Sequence, residues 1–342
     1  MSSHVRTAAV EGDLVKDCNN IIFDVKGQVH PPDKIVAFPR FIPESSGNRT
    51  QQGIAYAKVY ALSERFKFLE NNLPQYIVHD VVFDEKLCEV PRENVRKHYR
   101  PQNRLQELRR SSKLDALENC ALKFFETIND SSGVSWHGMG ISGSLLAKLH
   151  TPNSDIDPVV YGTRNCRNVY ETLKTLHQNA DSAVQPYSTE DLQKLYRFRV
   201  QDTRETFEDF LHTESRKVLQ GKIDGRDYFV RFVKNLEEIQ EQYGAVRYRN
   251  VGYAKIKAAV GDDSESIFTP CSYRLINVQT LDGSRFPIEE IVSFRGRFCE
   301  QARNGEAVVA QGKVEHVTDT RQNCEHFRLL LGNKPSDFMA LA

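Results

Sequence analysis

Hydrophobic and polar positions recur along the chain with two periods, which indicate helices in some stretches and strands in others. Near the N-terminus, the apolar-rich runs IIFDV and KIVAF are separated by His30-Pro31-Pro32 and predict two strands joined by a turn. Leu114 to Ile128 then follow helical spacing, Ser112 with Asp115 predicts a capping box at the start of this helix, and Asp130-Ser-Ser-Gly133 predicts its end. After about residue 247, short runs rich in branched and aromatic residues predict strands.

The pattern between these regions mixes helices and strands. The Asp-Gly pair at 224–225 predicts a hairpin. Further helices are predicted over residues 168–178, 189–197, 203–219 and 233–243, the last burying Leu236 and Ile239. The chain as a whole therefore predicts an α/β (α+β) fold. An N-terminal α+β domain is expected over residues 1–105, a core of mixed sheet and helices over 106–246, and a β-rich, barrel-like domain over 247–342.

Composition narrows the classes of protein. The 46 basic and 46 acidic residues balance, which excludes a protein surface that is basic overall and binds nucleic acid all round. Local basic faces remain compatible with this balance. No apolar run approaches the roughly 20 residues of a membrane helix, and the N-terminus lacks a hydrophobic signal core. Seven cysteines are scattered singly without a CxxC pair, so free thiols in the cytoplasm are expected rather than a zinc site.

Residues 140–162, GISGSLLAKLHTPNSDIDPVVYG, carry the densest candidate chemistry. On a strand, Asp155 and Asp157 point the same way, with Ile156 opposite. Two carboxylates only about 7 Å apart repel each other, unless a hard divalent cation such as Mg²⁺ lies between them. A turn followed by a solvated strand end is the alternative interpretation, since short motifs also match by chance.

The glycine-rich start of this segment suits phosphate. Gly140, Gly143 and Ser144 are predicted to end a strand and open a short helix over 145–149. Glycine lets backbone N–H groups approach an anion closely, Ser144 adds a hydroxyl donor, and Lys148 adds a mobile cation. The segment thus combines a phosphate-binding turn at one end with metal ligands at the other. This combination indicates phosphoryl or nucleotidyl transfer.

The segment GSLLAKLHTPNSDID resembles the signature of the DNA polymerase beta-like nucleotidyltransferase superfamily, in which a Gly-Ser pair precedes Asp-x-Asp by about ten residues. More broadly, IIFDVKGQVHPPDKIVAFPRF and SIFTPCSY are similar to an uncharacterised archaeal family of predicted nucleotidyltransferases. The resemblance implies that Gly143 and Ser144 grip the triphosphate of a nucleoside triphosphate and that Asp155 and Asp157 hold two Mg²⁺ ions. Pro158 departs from the aliphatic residue usual there, which predicts an edge or bulged strand.

Superfamily members usually supply a third carboxylate from a later strand, and Asp227 is the candidate. Alternation in RDYFVRF places Tyr228, Val230 and Phe232 on the core side. Asp227 and Arg231 then share the other face, where Arg231 could meet phosphate. A surface salt bridge at the base of a hairpin is the alternative for Asp227.

Two basic stretches are candidate contacts to nucleic acid. LYRFRV, residues 195–200, interleaves aromatic and basic side chains that can stack on bases and bind phosphates. The second stretch is residues 100–110, and a solvated helix face is the alternative for both. The expected function is transfer of a nucleoside monophosphate to a hydroxyl acceptor, with RNA first by family analogy. The alternative is a catalytically inactive nucleotide- or RNA-binding module.

Overall fold

The structure, a computed structural model, describes residues 8–199, 206–239 and 241–342. Over these ranges the chain is a mixed α+β protein whose strands form four sheets. The mixed fold class predicted from the sequence is therefore confirmed at this level. The first residues of the helix predicted over 203–219, the last residue of LYRFRV and Gln240 lie outside the described residues.

The N-terminal region consists of a sheet and two helices. Its elements are β1 (Leu14–Asp17), β2 (Ile22–Val25), β3 (Lys34–Pro43), β4 (Arg49–Gln51), β5 (Ile54–Lys58), α1 (Leu62–Asn72), β6 (Ile77–Asp80), β7 (Glu85–Pro91), β8 (Val95–Tyr99) and α2 (Pro101–Arg110). The strand order is β4–β5–β3–β2–β1–β8, with β7 also pairing with β3 and β6 with β7. As the sequence predicts, β2 and β3 pair antiparallel across the His-Pro-Pro turn.

Both faces of this sheet are buried at β1 and β2. Val15 and Phe23 face one way and join the core of the N-terminal region. Leu14 and Ile22 face the other way and pack in a cluster with Leu146, from the glycine-rich segment of the middle region. Because successive residues alternate faces, one pair of strands both closes its own core and docks onto the next region.

The middle region follows with α3 (Ala116–Ser132), β9 (Met139–Ile141), α4 (Gly143–Leu146), β10 (Pro158–Tyr161), α5 (Thr163–Gln178), β11 (Val184–Gln185), α6 (Thr189–Arg199), α7 (Phe207–Glu214), β12 (Gln220–Ile223), β13 (Arg226–Phe229), β14 (Arg231–Val233) and α8 (Leu236–Ile239). One sheet has the order β14–β10–β9 and another β11–β12–β13. The hairpin predicted at Asp224–Gly225 is present, because β12 and β13 pair antiparallel across it. Both turn residues have the positive φ that such a hairpin requires.

Helix α3 begins later than the sequence predicts. Its cap is Asp115, whose side chain accepts from the Glu118 N–H at 2.9 Å, while Glu118 accepts from the Asp115 N–H at 3.1 Å. The predicted Ser112–Asp115 box is therefore wrong, because the reciprocal bonds form where Glu occupies the third helical position. Gly133, with φ +69°, ends the helix as expected.

Three other helices are shorter than predicted. Helix α4 covers 143–146 instead of 145–149, and α7 ends at Glu214 instead of continuing to 219. The helix predicted over 233–243 is described only as the single turn α8, because Val233 belongs to β14. Leu236 is 44% exposed, so its predicted burial is wrong.

Strand β10 is central, although Pro158 predicted an edge or a bulge. It pairs antiparallel with β9 and parallel with β14. Pro158 is tolerated because it is the first residue of the strand, where the missing N–H interrupts rather than breaks a ladder. Pairing with the neighbouring chain segment occurs before it, at Ile156–Tyr228, and resumes after it, at Val159–Arg231.

The C-terminal region contains β15 (Val246–Asp262), β16 (Cys271–Gly283), β17 (Ile288–Ser293), β18 (Ala307–Asp319), β19 (Cys324–Leu331) and β20 (Phe338–Leu341). Successive pairings run β15–β16–β17–β19–β18 and return to β15, so these five strands form a closed ring. Only the β17–β19 pair in this ring is parallel. Strand β20 adds to the free edge of β18. The barrel-like arrangement predicted from the strand pattern is confirmed.

The hydrophobic cores follow the predicted domains only in part. A separate core lies within the N-terminal region. One large cluster, in contrast, extends from Leu105 to Met339 and joins the middle helices to the barrel interior. The predicted boundary at 246–247 therefore marks a change of sequence pattern within a shared core.

Two further observations concern the whole described chain. None of the helices within residues 8–199, 206–239 and 241–342 combines the length and hydrophobicity that a bilayer crossing requires. All seven cysteines are free thiols, which agrees with their scattered positions in the sequence.

Candidate active site

The acidic pair lies on an extended segment that leads into β10. Ile156 is fully buried, while Asp155 is exposed and Asp157 half-buried, as strand alternation predicts. The Ile156 N–H donates to the Asp227 carbonyl at 2.9 Å, and the Phe229 N–H donates to the Ile156 carbonyl at 3.1 Å. On the other side, the Asp157 carbonyl accepts from the Ser142 N–H at 2.8 Å. Backbone bonds on both sides therefore fix the segment.

The backbone of Gly143 lies against the Asp157 carboxylate. A Cβ atom at this glycine would be 1.8 Å from Oδ2 of Asp157, far inside any tolerable contact. The residue also has φ +61°, a conformation that favours glycine. Two independent reasons thus require glycine here. The Gly-Ser turn and the second aspartate, separated by the rest of the motif in sequence, form one packed unit.

The next residue, Ser144, carries a polar group without a partner. Its side chain is buried at 1% exposure, and its Oγ has no hydrogen bond among the described residues. An unpaired buried hydroxyl destabilises a fold by about 1–3 kcal/mol, so such groups are rare and need an explanation. This hydroxyl belongs to the residue after the glycine that contacts Asp157, and it is chemically suited to donate to a bound oxygen.

The candidate third carboxylate lies next to the first. Ile156 and Tyr228 pair in parallel, and both are buried on the core side. The preceding residues, Asp155 and Asp227, are therefore neighbours on the opposite face, on backbones separated by about 4.8 Å. Both aspartates also act on Tyr187, because burial first and then their charges raise the pKa of its hydroxyl.

Asp227 also forms the salt bridge that the sequence left as its alternative. Lys222, on the adjacent strand β12, lies 3.3 Å from the Asp227 carboxylate and 3.0 Å from that of Asp191 on α6. The Asp227 side chain is 56% exposed, so this ion pair contributes little stability. Its proximity to Asp155 and its bond to Lys222 are both features of the site.

The electrostatic state of Asp157 follows from this crowding. Burial and the neighbouring Asp155 carboxylate raise the pKa of Asp157 from 3.8 to about 6. Three positive side chains oppose the rise: Lys58, Arg40 and Arg231. The net shift stays upward, so the negative charge at this position is not fully compensated by the protein itself. A bound cation would supply the missing compensation.

Arg231 lies at the site and interacts with several carboxylates. Its Nη1 donates to Glu11, a fully buried carboxylate that also accepts from Lys26 Nζ at 3.2 Å. Burial alone would lower the pKa of Arg231, but Glu11, Asp24 and Asp157 together raise it. Arg231 therefore stays charged and acts on Asp157 while it is held by Glu11.

Lys148 is placed away from the acidic pair. Its Nζ lies 2.9 Å from Oε2 of Glu107 on α2, and both side chains are about half exposed. The charges that act on Asp157 come instead from Lys58 and Arg40. The predicted role of Lys148 as the phosphate cation gains no support from this placement, because the single-turn α4 directs the chain toward α2.

Sequence reasoning missed Arg40 and Lys58 because they belong to another region. Arg40 is on β3 and Lys58 ends β5, in a sheet that docks onto the middle region through Leu14 and Ile22. Within their own strands they are ordinary basic residues between apolar ones. For Lys58 alone the sequence offers a signal, because Tyr60 follows it in AKVY and the two form a basic and aromatic pattern.

A second group of potential metal ligands lies at the start of α3. Oxygen and nitrogen atoms of Asp115, Glu118 and His150 lie within 4.8 Å of one another. These atoms are already engaged, since His150 Nε2 lies 2.6 Å from Asp115 and Glu118 pairs with Arg104 at 2.5 Å. Asp115 and Glu118 also form the capping box of α3. This group is explained by helix capping.

Comparison with known proteins identifies a relative that the chain matches over almost its whole length. The chain is 32% identical over 334 residues, 95% of this chain and 96% of the relative, to the uncharacterized protein MJ1086 of Methanocaldococcus jannaschii. The chain belongs to the same family as this archaeal protein. No family model matches the chain, and no solved structure matches it. A functional conclusion therefore has to be drawn from the geometry of the site.

Proposed function

We propose that the chain is a metal-dependent nucleotidyltransferase that moves a nucleoside monophosphate from a nucleoside triphosphate to a hydroxyl acceptor and releases pyrophosphate. One observation carries the proposal. Asp155 and Asp227 are neighbours on one face of two parallel segments, and Asp157, on the same face, lies against Gly143. This arrangement supports a shared site for the three carboxylates and the glycine turn.

The residues present fit magnesium. Mg²⁺ prefers oxygen ligands and is usually held by a few carboxylates together with substrate phosphates. Asp155, Asp157 and Asp227 offer such carboxylates, and the raised pKa of Asp157 indicates uncompensated negative charge. Two ions held there would activate the attacking hydroxyl and stabilise the pyrophosphate leaving group.

The protein groups have separate roles toward the triphosphate. Gly143, which lacks a side chain, lets the backbone approach the phosphates closely, and Ser144 offers its unpaired hydroxyl. Lys58 and Arg40 supply positive charge on the side of the acidic pair that faces the N-terminal sheet. Together these groups would orient the α-phosphate for in-line attack, which is the main protein contribution to phosphoryl transfer.

A nucleic-acid acceptor, with RNA as the first candidate, agrees with the C-terminal barrel. Its ring of pairings, β15–β16–β17–β19–β18 with one parallel pair between β17 and β19, has the topology of the OB fold. Barrels of that topology commonly bind oligonucleotides. The barrel shares its core with the middle region, so it is fixed relative to the carboxylates.

One observation favours a second candidate function, a nucleotide- or RNA-binding module without catalysis. Lys222 already neutralises Asp227 at 3.3 Å and also bonds Asp191 at 3.0 Å. If this pairing persists when nucleotide binds, the third carboxylate is not available to a metal. The two candidate functions then differ only in whether bound nucleoside triphosphate is converted to product.

Incubation of the full chain with Mg²⁺, each α-labelled nucleoside triphosphate in turn and total RNA tests the proposal. We expect transfer of label to an acceptor, and loss of that transfer in the double variant Asp155→Ala with Asp157→Ala. Asp130→Asn, at an exposed position on α3, is the matched control and should transfer label as wild type. Undiminished transfer in the double variant would reject the assignment.

The same assay separates the roles of Asp227. If it holds metal, Asp227→Asn should require a higher Mg²⁺ concentration for half-maximal transfer. If it only pairs with Lys222, the Mg²⁺ dependence should equal that of wild type. Nucleotide binding without transfer in the wild-type protein would establish the second candidate function.

A further inference from the structure

We infer that Tyr60 and Phe198 form a platform on which a nucleobase stacks beside the carboxylates; this inference rests on the proposed function, which it deepens. Tyr60 is 50% exposed and Phe198 is 64% exposed. Across the described ranges, the next most exposed Phe, Tyr or Trp side chain is Phe294, at 36%. Two exposed rings in mutual contact are a candidate binding surface.

The two rings meet across the gap between two regions. Tyr60 follows β5 of the N-terminal sheet, and Phe198 lies near the end of α6 in the middle region. Their centroids are 6.4 Å apart and their planes are inclined at 78°. A perpendicular pair leaves ring surface uncovered, and the Phe198 ring, at 64% exposure, offers that surface to a further aromatic partner.

Tyr60 is tied to the acidic pair through two cations. The Arg40 guanidinium lies 5.1 Å from the centroid of the Tyr60 ring, and the Lys58 ammonium lies 4.8 Å from it. Both charges also lower the pKa of Asp157. One pair of side chains thus contacts the exposed ring and acts on the carboxylate, which places Tyr60 beside the candidate active site.

Phe198 is tied to the third carboxylate through its own helix. Asp191 on α6 bonds Lys222 at 3.0 Å, and Lys222 lies 3.3 Å from Asp227. Phe198 is seven residues after Asp191, which is two helical turns or about 10.5 Å along the same face. The platform therefore lies on the side of the carboxylates where α6 and the N-terminal sheet face each other.

The chemistry of this surface matches one class of ligand. Exposed aromatic faces stack on bases of any sequence, and interspersed Arg and Lys side chains bind the flanking phosphates. The base could belong to the incoming nucleoside triphosphate or to the terminal nucleoside of a single-stranded acceptor. Both sources present a π-face joined to phosphate, which is the recognised chemistry.

Equilibrium binding on the full chain distinguishes these sources without requiring turnover. The probes are ATP with Ca²⁺, inorganic tripolyphosphate with Ca²⁺, and a fluorescein-labelled single-stranded 12-nucleotide RNA. We expect Phe198→Ala to weaken binding of at least one base-containing probe about 5- to 100-fold and to leave tripolyphosphate binding unchanged. Phe198→Tyr should restore affinity, and Val81→Ala, at an 80% exposed position, is the control for loss of an exposed apolar side chain.

Each outcome decides a point. Weakened ATP binding assigns the platform to the incoming nucleotide, and weakened RNA binding assigns it to the acceptor. Wild-type affinity for both probes in Phe198→Ala overturns the platform, and the proposed function stands if transfer still requires Asp155 and Asp157. Absence of transfer together with Phe198-dependent binding removes the enzyme and keeps the platform. A wild-type protein that binds neither base-containing probe overturns the platform as well.

Discussion

The acidic and basic halves of the candidate site differ in how far apart their residues lie in sequence. Asp155 and Asp157 are two residues apart, and strand alternation alone places them on one face. Arg40 and Lys58 come from the N-terminal sheet and reach the same place only because that sheet docks through Leu14 and Ile22. The comparison shows that the shared direction of the acidic pair is encoded locally, while charge compensation depends on assembly of the two regions.

The largest effect is expected where the acidic half is most tightly packed. Gly143→Ala puts a Cβ atom 1.8 Å from Asp157 Oδ2, so the carboxylate or the turn must move. We expect transfer to fall by about 100- to 1000-fold, because misplacement by about an ångström removes catalytic alignment. Initial rates of label transfer measure this loss.

Gly133→Ala is the matched control for that substitution. Gly133 has a similar φ of +69°, but a Cβ atom there meets nothing within 4 Å. Both variants therefore share the backbone strain of about 1 kcal/mol, and only Gly143→Ala displaces a carboxylate. Equal activity in the two variants would show that the contact with Asp157 has no role in alignment.

A smaller effect concerns protonation of Asp157. Its pKa is raised from 3.8 to about 6, so the protonated form stabilises the folded state and this stabilisation is lost as pH rises through about 6. Without metal, the free energy of unfolding of Asp157→Asn at pH 7.5 should therefore exceed that of wild type by about 1–3 kcal/mol. The variant should accordingly unfold at a higher temperature. The difference should vanish toward pH 4, as thermal unfolding across this pH range will show.

In the same pH range, metal-dependent transfer should change in the opposite direction. A protonated Asp157 is a poor metal ligand, so the wild-type rate at limiting Mg²⁺ should fall about tenfold per pH unit below pH 6. Higher Mg²⁺ should shift this fall to lower pH, because metal and proton compete for one carboxylate. A profile that is independent of Mg²⁺ would contradict metal binding at Asp157.

The smallest effect tests the basic half. Lys58 lowers the pKa of Asp157, so Lys58→Gln should raise that pKa and move the acid limb of the pH profile upward by less than about one pH unit. Lys58→Arg keeps the charge and should retain the wild-type limb. If Lys58→Gln leaves the limb in place, Lys58 does not compensate the charge of the acidic pair.

Much of the local structure follows from sequence pattern, and the errors have identifiable causes. The Asp-Gly hairpin, the end of α3 at Gly133 and the barrel strands agree with prediction, because each depends on residues close together in the chain. The cap of α3 was misplaced because Ser112 and Asp115 both suit an N-cap, and only the bonds between Asp115 and Glu118 decide between them.

Within the site, the same division applies to individual residues. The shared face of Asp155 and Asp157 and the outward direction of Asp227 follow from alternation of buried neighbours. The central position of Pro158 could not be inferred, because proline at the first position of a strand is compatible with an inner strand. The sequence position of Lys148 predicts a phosphate contact, whereas its ion pair with Glu107 depends on where α2 packs.

What the sequence determined by itself is the set of short-range features: the elements, the acidic face and the glycine that the turn requires. What only the tertiary structure decided is which distant groups share that face, namely Lys58, Arg40 and the Tyr60–Phe198 pair. The physical reason is that backbone periodicity controls the direction of neighbouring side chains, whereas burial of Leu14 and Ile22 against the middle region controls which surfaces meet.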